Sequence, residues 1–193
     1  AGSGVIVDAE SLADTVAQVG GNASLTSGGA ISVTSQSTNL IESTGTAVTI
    51  GAVSVGGIAA TGRAGGATWA LMDADVGGAT ALNISATSQS RAPVIAKASS
   101  GGLLAAGTAS TSSATVDPNL QAGIGGNAVL SVGGNVTIQS LDDSEVESEA
   151  RGTASGGASI GIGVASATNN AQVDAHIGGG TQLTSTGAIS LLG

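Results

Sequence analysis

The chain has 193 residues, among them 33 glycines, two prolines, no cysteine, one tryptophan and no other aromatic residue; 4 basic against 13 acidic side chains give a net charge of −9. An acidic chain with so few cations is not built to attract nucleic acid or anionic lipid, and the lack of cysteine excludes disulfides, thiolate metal sites and thiol nucleophiles. Charged residues are only 9% and hydrophobic ones 41% of the sequence, the opposite of a disordered composition, while the absence of a three-residue glycine period excludes collagen.

Val5, Val7 and Ala9 alternate with Ile6, Asp8 and Glu10, so residues 1–18 read as an extended partial unit. Leu12, Val16 and Val19 have the spacing of one helical turn, but the same stretch of later units is extended, and we read it as strand or loop. A clear motif follows: Val19-Gly20-Gly21-Asn22, then Leu25, a Gly28-Gly29 turn, and Ile31, Val33 and Ser35 alternating with Ser32, Thr34 and Gln36. A period of two marks a strand with one buried face. The motif recurs from Val76, from Ile124 and from Ile177. Its second apolar anchors, Ile31, Ile84, Val136 and Ile189, are spaced 53, 52 and 53 residues apart. Near-constant spacing of a recurring motif is the sequence signature of stacked units. The copy at Val76 is four residues shorter than the others between its first apolar residue and its anchor.

Between the motifs lie further extended runs. Val48, Ile50 and Ala52 alternate, Gly65-Gly66 punctuates, and Trp69 stands alone as an aromatic, read as a cap over a sheet end or as a stacking platform for a sugar. Val94, Ala96 and Ala98 form a strand of the second unit, and Asp117-Pro118-Asn119 is a turn signal. In the third unit Asp143, Glu145, Glu147 and Glu149 alternate with Ser144, Val146, Ser148 and Ala150. Beyond Gly156-Gly157, residues Ile160, Ile162 and Val164 alternate with Gly161 and Gly163. Glycine inside a strand implies close approach of another backbone.

The expected fold class is therefore all-β: an elongated, parallel β-solenoid with a repeat of about 53 residues, the alternative being an array of antiparallel hairpin or sandwich modules. The chain reads as one continuous array in approximate units, 1–18 (partial), 19–75, 76–123, 124–176 and 177–193 (partial), cut from a longer chain. No run is long enough for a membrane helix, so no membrane insertion is expected.

Few residues carry chemistry. Asp143, Glu145, Glu147 and Glu149 share one strand face, about 7 Å apart. Between neighbouring rows they are candidate ligands for Ca²⁺; the competing reading is a solvated face that blocks sideways aggregation, with Arg151 neutralising part of it. The Gly-Gly-x-Gly-x-Asp calcium signature is absent, because Gly20-Gly21-Asn22 and Gly125-Gly126-Asn127 lack its aspartate. His176, the sole histidine, lies beside Asp174 without the further ligands of a metal site or the placed nucleophile of a triad. Gly161-x-Gly163 sits within strands and opens no helix, so a nucleotide-binding turn is a weak reading of it. We expect no catalytic residues and no resident cofactor.

The stretch from Val164-Ala165-Ser166-Ala167 through Gln172-Val173-Asp174-Ala175-His176-Ile177-Gly178 to Leu183-Thr184-Ser185-Thr186-Gly187-Ala188-Ile189-Ser190-Leu191 resembles the repeats of giant secreted β-strand-repeat proteins of Gram-negative bacteria, including filamentous-haemagglutinin-like and leukotoxin-type filamentous adhesins. The resemblance implies an extracellular or cell-surface location and a structural shaft or filament segment without enzymatic activity. Its partners would be neighbouring repeats or copies of itself, and cell-surface glycans. A binding module for glycans, cations or ice is the alternative, although Thr26, Thr34, Thr184 and Thr186 form no regular threonine ladder.

Overall fold

The computed structural model describes residues 1–193 and contains no helix, so none is long and apolar enough to cross a membrane. Thirteen strands follow one another: β1 (Gly2–Leu12), β2 (Thr15–Val19), β3 (Ser24–Thr26), β4 (Ala30–Leu40), β5 (Ser43–Met72), β6 (Asp75–Ala79), β7 (Ala81–Ile124), β8 (Val129–Val132), β9 (Val136–Ser155), β10 (Ala158–Asn169), β11 (Gln172–Ile177), β12 (Gln182–Ser185) and β13 (Ile189–Leu192). Every pairing between them is parallel. Antiparallel hairpin modules are therefore not the arrangement, and the parallel sheets are compatible with a β-solenoid.

The register shows how the chain winds. Ala30 lies beside Ala81, Leu82 beside Val136, and Val136 beside Ile189. The chain thus returns alongside itself after each circuit. Each circuit has an outgoing arm, as in 81–101, a tip, as in 102–104, and a return arm, as in 105–124. A short third side made of β3, β6, β8 and β12 closes the wider end. The two arms face one another. Ser112 Oγ donates to the Val94 carbonyl across the interior at 3.0 Å, and the Ser37 and Thr68 hydroxyls meet at 2.6 Å.

The interior has two apolar zones. At the wide end Met72, Leu82, Ile84, Ile124, Leu130 and Val136 pack against one another. In the narrow blade the core thins to Ala92, Val94, Ala96, Ala114, Val116 and their neighbours. A chain with almost no aromatics cannot hold its sheets far apart, so alanine, serine and glycine set the blade's thickness. Some interior serines answer the lost volume with hydrogen bonds to the facing backbone, as Ser112 does, whereas the Ser43, Ser54 and Ser100 hydroxyls are buried without a partner. Ladder bonds supply the rest of the cohesion: 102 of 119 backbone hydrogen bonds lie within the strands.

Two details of the sequence reading need correction. The anchor of the second unit is Leu82, not Ile84: Ile31, Leu82, Val136 and Ile189 stack in one column. Likewise Met72, not Val76, continues the column of Val19, Ile124 and Ile177, and Val76 joins Leu25, Leu130 and Leu183. The second unit is short by two residues in the turn after Met72 rather than by four. The Gly77-Gly78 pair misleads because it resembles Gly20-Gly21, whereas the fully buried Met72 side chain fixes the register. A two-residue slip preserves which face each side chain takes, so alternation alone does not reveal it.

Candidate acidic row and its surroundings

The strand alternation of β9 puts Asp143, Glu145 and Glu147 in solvent and leaves Glu149 half-buried, all on the outer face of the outgoing arm. The rung beneath decides what the row can hold. Gln89, Arg91, Pro93 and Ile95 lie directly alongside the four carboxylates. Gln89 Nε2 donates to Asp143 Oδ2 at 3.1 Å, Arg91 Nη1 lies 3.5 Å from Glu145 Oε2, and Arg151 pairs with Glu149 on the same strand. Glu147 faces Pro93, which offers it no donor. The neighbouring rung thus supplies a guanidinium and an amide where a Ca²⁺ site between rows would need further oxygen ligands. No three His, Asp or Glu side chains of the protein come together as a metal-binding group. Solvent-exposed pairs of this kind contribute about 0–1 kcal/mol each, so the row's main effect is its charge.

Asp142, next to the row, points the other way. It stacks on Ser88, which stacks on Ser37, inside the blade. Its Oδ1 has no hydrogen-bond partner. Burial raises its pKa above the ordinary carboxylate value, and the Asp143 charge beside it pushes in the same direction. Sequence reasoning did not single out Asp142. The only signal was the pair Asp142-Asp143, in which strand alternation must turn one carboxylate inward.

The remaining candidates are scattered. His176 Nδ1 meets Asp174 Oδ2 at 2.8 Å on the outer face of β11, and that is the only side-chain hydrogen bond of either residue. Trp69 lies on the return arm between Val16 and Gln121 in the neighbouring rungs, half-buried, with its indole N–H unpartnered. It is on a different arm from the acidic row, so the two do not form one site. Gly161 and Gly163 face inward, where a methyl at Gly163 would stand 2.5 Å from the Ala150 carbonyl oxygen. These glycines admit the opposite arm.

A second charged cluster spans three rungs elsewhere on the surface. Arg63 lies 3.4 Å from Glu10 and donates to Asp117 at 2.5 Å. The hydrogen bond and charge of Asp117 raise the Arg63 pKa further above its ordinary value. Arg63 therefore ties the first, second and third passes of the return arm together. Comparison with family models, with curated proteins and with solved structures finds no match.

Proposed function

We propose that this chain is a β-solenoid shaft, a filament-forming or spacer segment of a large extracellular bacterial protein, with no catalytic role. The observation that carries the reading is the register. Residues 51 to 54 positions apart lie side by side in parallel from Gly2 to Leu192, so each circuit contacts only the circuits before and after it. Such an object is extended by adding circuits, without a new core. The shaft is favoured over a glycan- or cation-binding module because Trp69 is half-buried between Val16 and Gln121 and three of the four carboxylates of the acidic row, Asp143, Glu145 and Glu149, are already met by Gln89, Arg91 and Arg151.

Electron microscopy of the purified chain tests this. Thin unbranched rods with an axial repeat of about 4.8 Å are expected. Compact particles under all conditions of concentration and salt would exclude self-assembly into a shaft.

A further inference from the structure

We propose that the Asp117–Pro118 peptide bond is a self-cleavage site, at which the Asp117 carboxyl group cuts its own chain in acid and Arg63 acts as the guard. The run Asp117-Pro118-Asn119, a turn signal in the sequence, lies inside β7 in the structure. Asp117 sits on the outer face of the return arm, and its two carboxylate oxygens have different surroundings. Oδ2 accepts from Arg63 Nε at 3.0 Å and from Arg63 Nη2 at 2.5 Å. Oδ1 is buried and has no hydrogen-bond partner, so its lone pairs are uncommitted. Gly65 lies alongside Asp117 on the rung below. A methyl at Gly65 would stand 2.4 Å from Oδ1, 2.7 Å from the Asp117 carbonyl oxygen and 2.9 Å from the Asp117 carbonyl carbon. The uncommitted oxygen and the carbon of the Asp117–Pro118 peptide thus share the space that the missing Gly65 side chain leaves. On the rung above, β10 ends with Asn169 beside Val116 and β11 begins with Gln172 beside Asn119. Asp117 and Pro118 therefore have a strand partner on one side only.

The chemistry needs no further side chain. With the proton on Oδ2, Oδ1 adds to the Asp117 carbonyl carbon and closes a ring of the succinic anhydride kind. The bond from that carbon to the Pro118 nitrogen breaks. Its electron pair goes to nitrogen, and the carboxyl proton follows through solvent. The products are a cyclic anhydride at Asp117 and a free secondary amine at Pro118. Water then opens the anhydride and leaves Asp117 with a side-chain and a terminal carboxyl group, so the sum is the hydrolysis of a peptide bond. Proline favours the step because its nitrogen belongs to a tertiary amide and leaves as a strongly basic amine. The other proline, Pro93, follows Ala92, which has no carboxyl group to attack with. Arg63 opposes the first step, because the proton and the guanidinium compete for Oδ2. Cutting does not dismantle the stack. Residues 66–72 stay paired with 118–124, 105–116 with 158–169, and 82–101 with 136–155, so the two pieces remain laddered together. The cut does not depend on the shaft proposed above.

Intact-mass spectrometry of the full chain under denaturing conditions tests it, after incubation at about pH 4, near the ordinary aspartate pKa. Two pieces are expected, residues 1–117 and 118–193, from material that gel filtration without denaturant still shows as a single species. Arg63→Gln should speed the cut by about two- to fivefold, the shift that an exposed ion pair can give, and Asp117→Asn should abolish it. Far-UV circular dichroism verifies that both variants fold. In urea, where the guard unfolds with the rest of the chain, the wild type and Arg63→Gln should be cut at the same rate. Salt makes the same test without a variant. At about 1 M the screening length falls to about 3 Å, and the wild-type rate should rise towards that of Arg63→Gln. No cut at this bond, or a cut that survives Asp117→Asn, would overturn the proposal. So would a folded Arg63→Gln that is cut no faster than the wild type, a difference between them that persists in urea, or a wild-type rate indifferent to salt.

Discussion

Gly163 and Gly107 offer a direct trial of what sets the blade's thickness. Both are strand glycines on the return arm, in consecutive circuits, but Gly163 points inward and Gly107 outward. In Gly163→Ala the new methyl would stand 2.5 Å from the Ala150 carbonyl oxygen and 3.4 Å from Ser110 Oγ. Ordinary carbon–oxygen contacts lie at about 3.3–3.6 Å, so the arms must part by about 1 Å. The obstacle is backbone, which no rotamer change can move aside. Overpacking of this kind costs about 1–3 kcal/mol. Alanine returns about 0.4–1 kcal/mol by restricting the unfolded chain, which leaves a net loss of about 1–2 kcal/mol. Gly107→Ala gains the same entropic term with no clash and should be stabilised by about 0.5 kcal/mol. Urea unfolding followed by circular dichroism resolves the two through their midpoints at constant slope. Equal midpoints, or stabilisation of Gly163→Ala, would refute the view that backbone contact between the arms limits the blade.

Two further outcomes follow from the acidic residues. Asp142→Ser restores the serine found in the two rungs below and should stabilise the protein at neutral pH by about 1 kcal/mol, a figure already reduced for residual solvent contact. Because burial raises the folded-state pKa of Asp142, the wild type loses stability as pH rises through the window from the unfolded to the folded pKa. The variant's advantage should therefore be full above the folded pKa and vanish in acid. An advantage that persists or grows at low pH would refute the assignment. For Asp143, Glu145, Glu147 and Glu149, millimolar Ca²⁺ should move the thermal midpoint by less than about 1 °C; a rise of several degrees would show binding linked to the folded state.

The sequence made the circuit length readable because the large apolar residues of the wide end recur in phase. It also made the outward face of the acidic row readable, since strand alternation leaves no other place for four carboxylates two residues apart. It was less informative where small residues dominate. Ile160, Ile162 and Val164 are the apolar members of their stretch, and a rule that turns apolar side chains inward would bury them. In the structure the intervening glycines face inward and the isoleucines face solvent. The reason is spatial: where the arms meet backbone to backbone, only glycine fits inside. The slip from Ile84 to Leu82 has a similar origin, since both are fully buried and only the length of the preceding turn distinguishes them. Asp142 was obscured because the identity of an inward polar residue depends on the column it joins, and columns are set by register.

The register also determines how the molecule carries tension. Two residues 53 positions apart, such as Ala105 and Ala158, sit about 4.8 Å from each other along the stacking direction, whereas the chain joining them spans about 175–190 Å when drawn straight. The ladder bonds point along that same direction, so a pull from end to end opens them in sequence, not all at once. Each circuit that peels away pays out nearly forty times the length it occupied, and the circuits behind it keep their own bonds. A stack built this way yields locally under load and remains intact elsewhere.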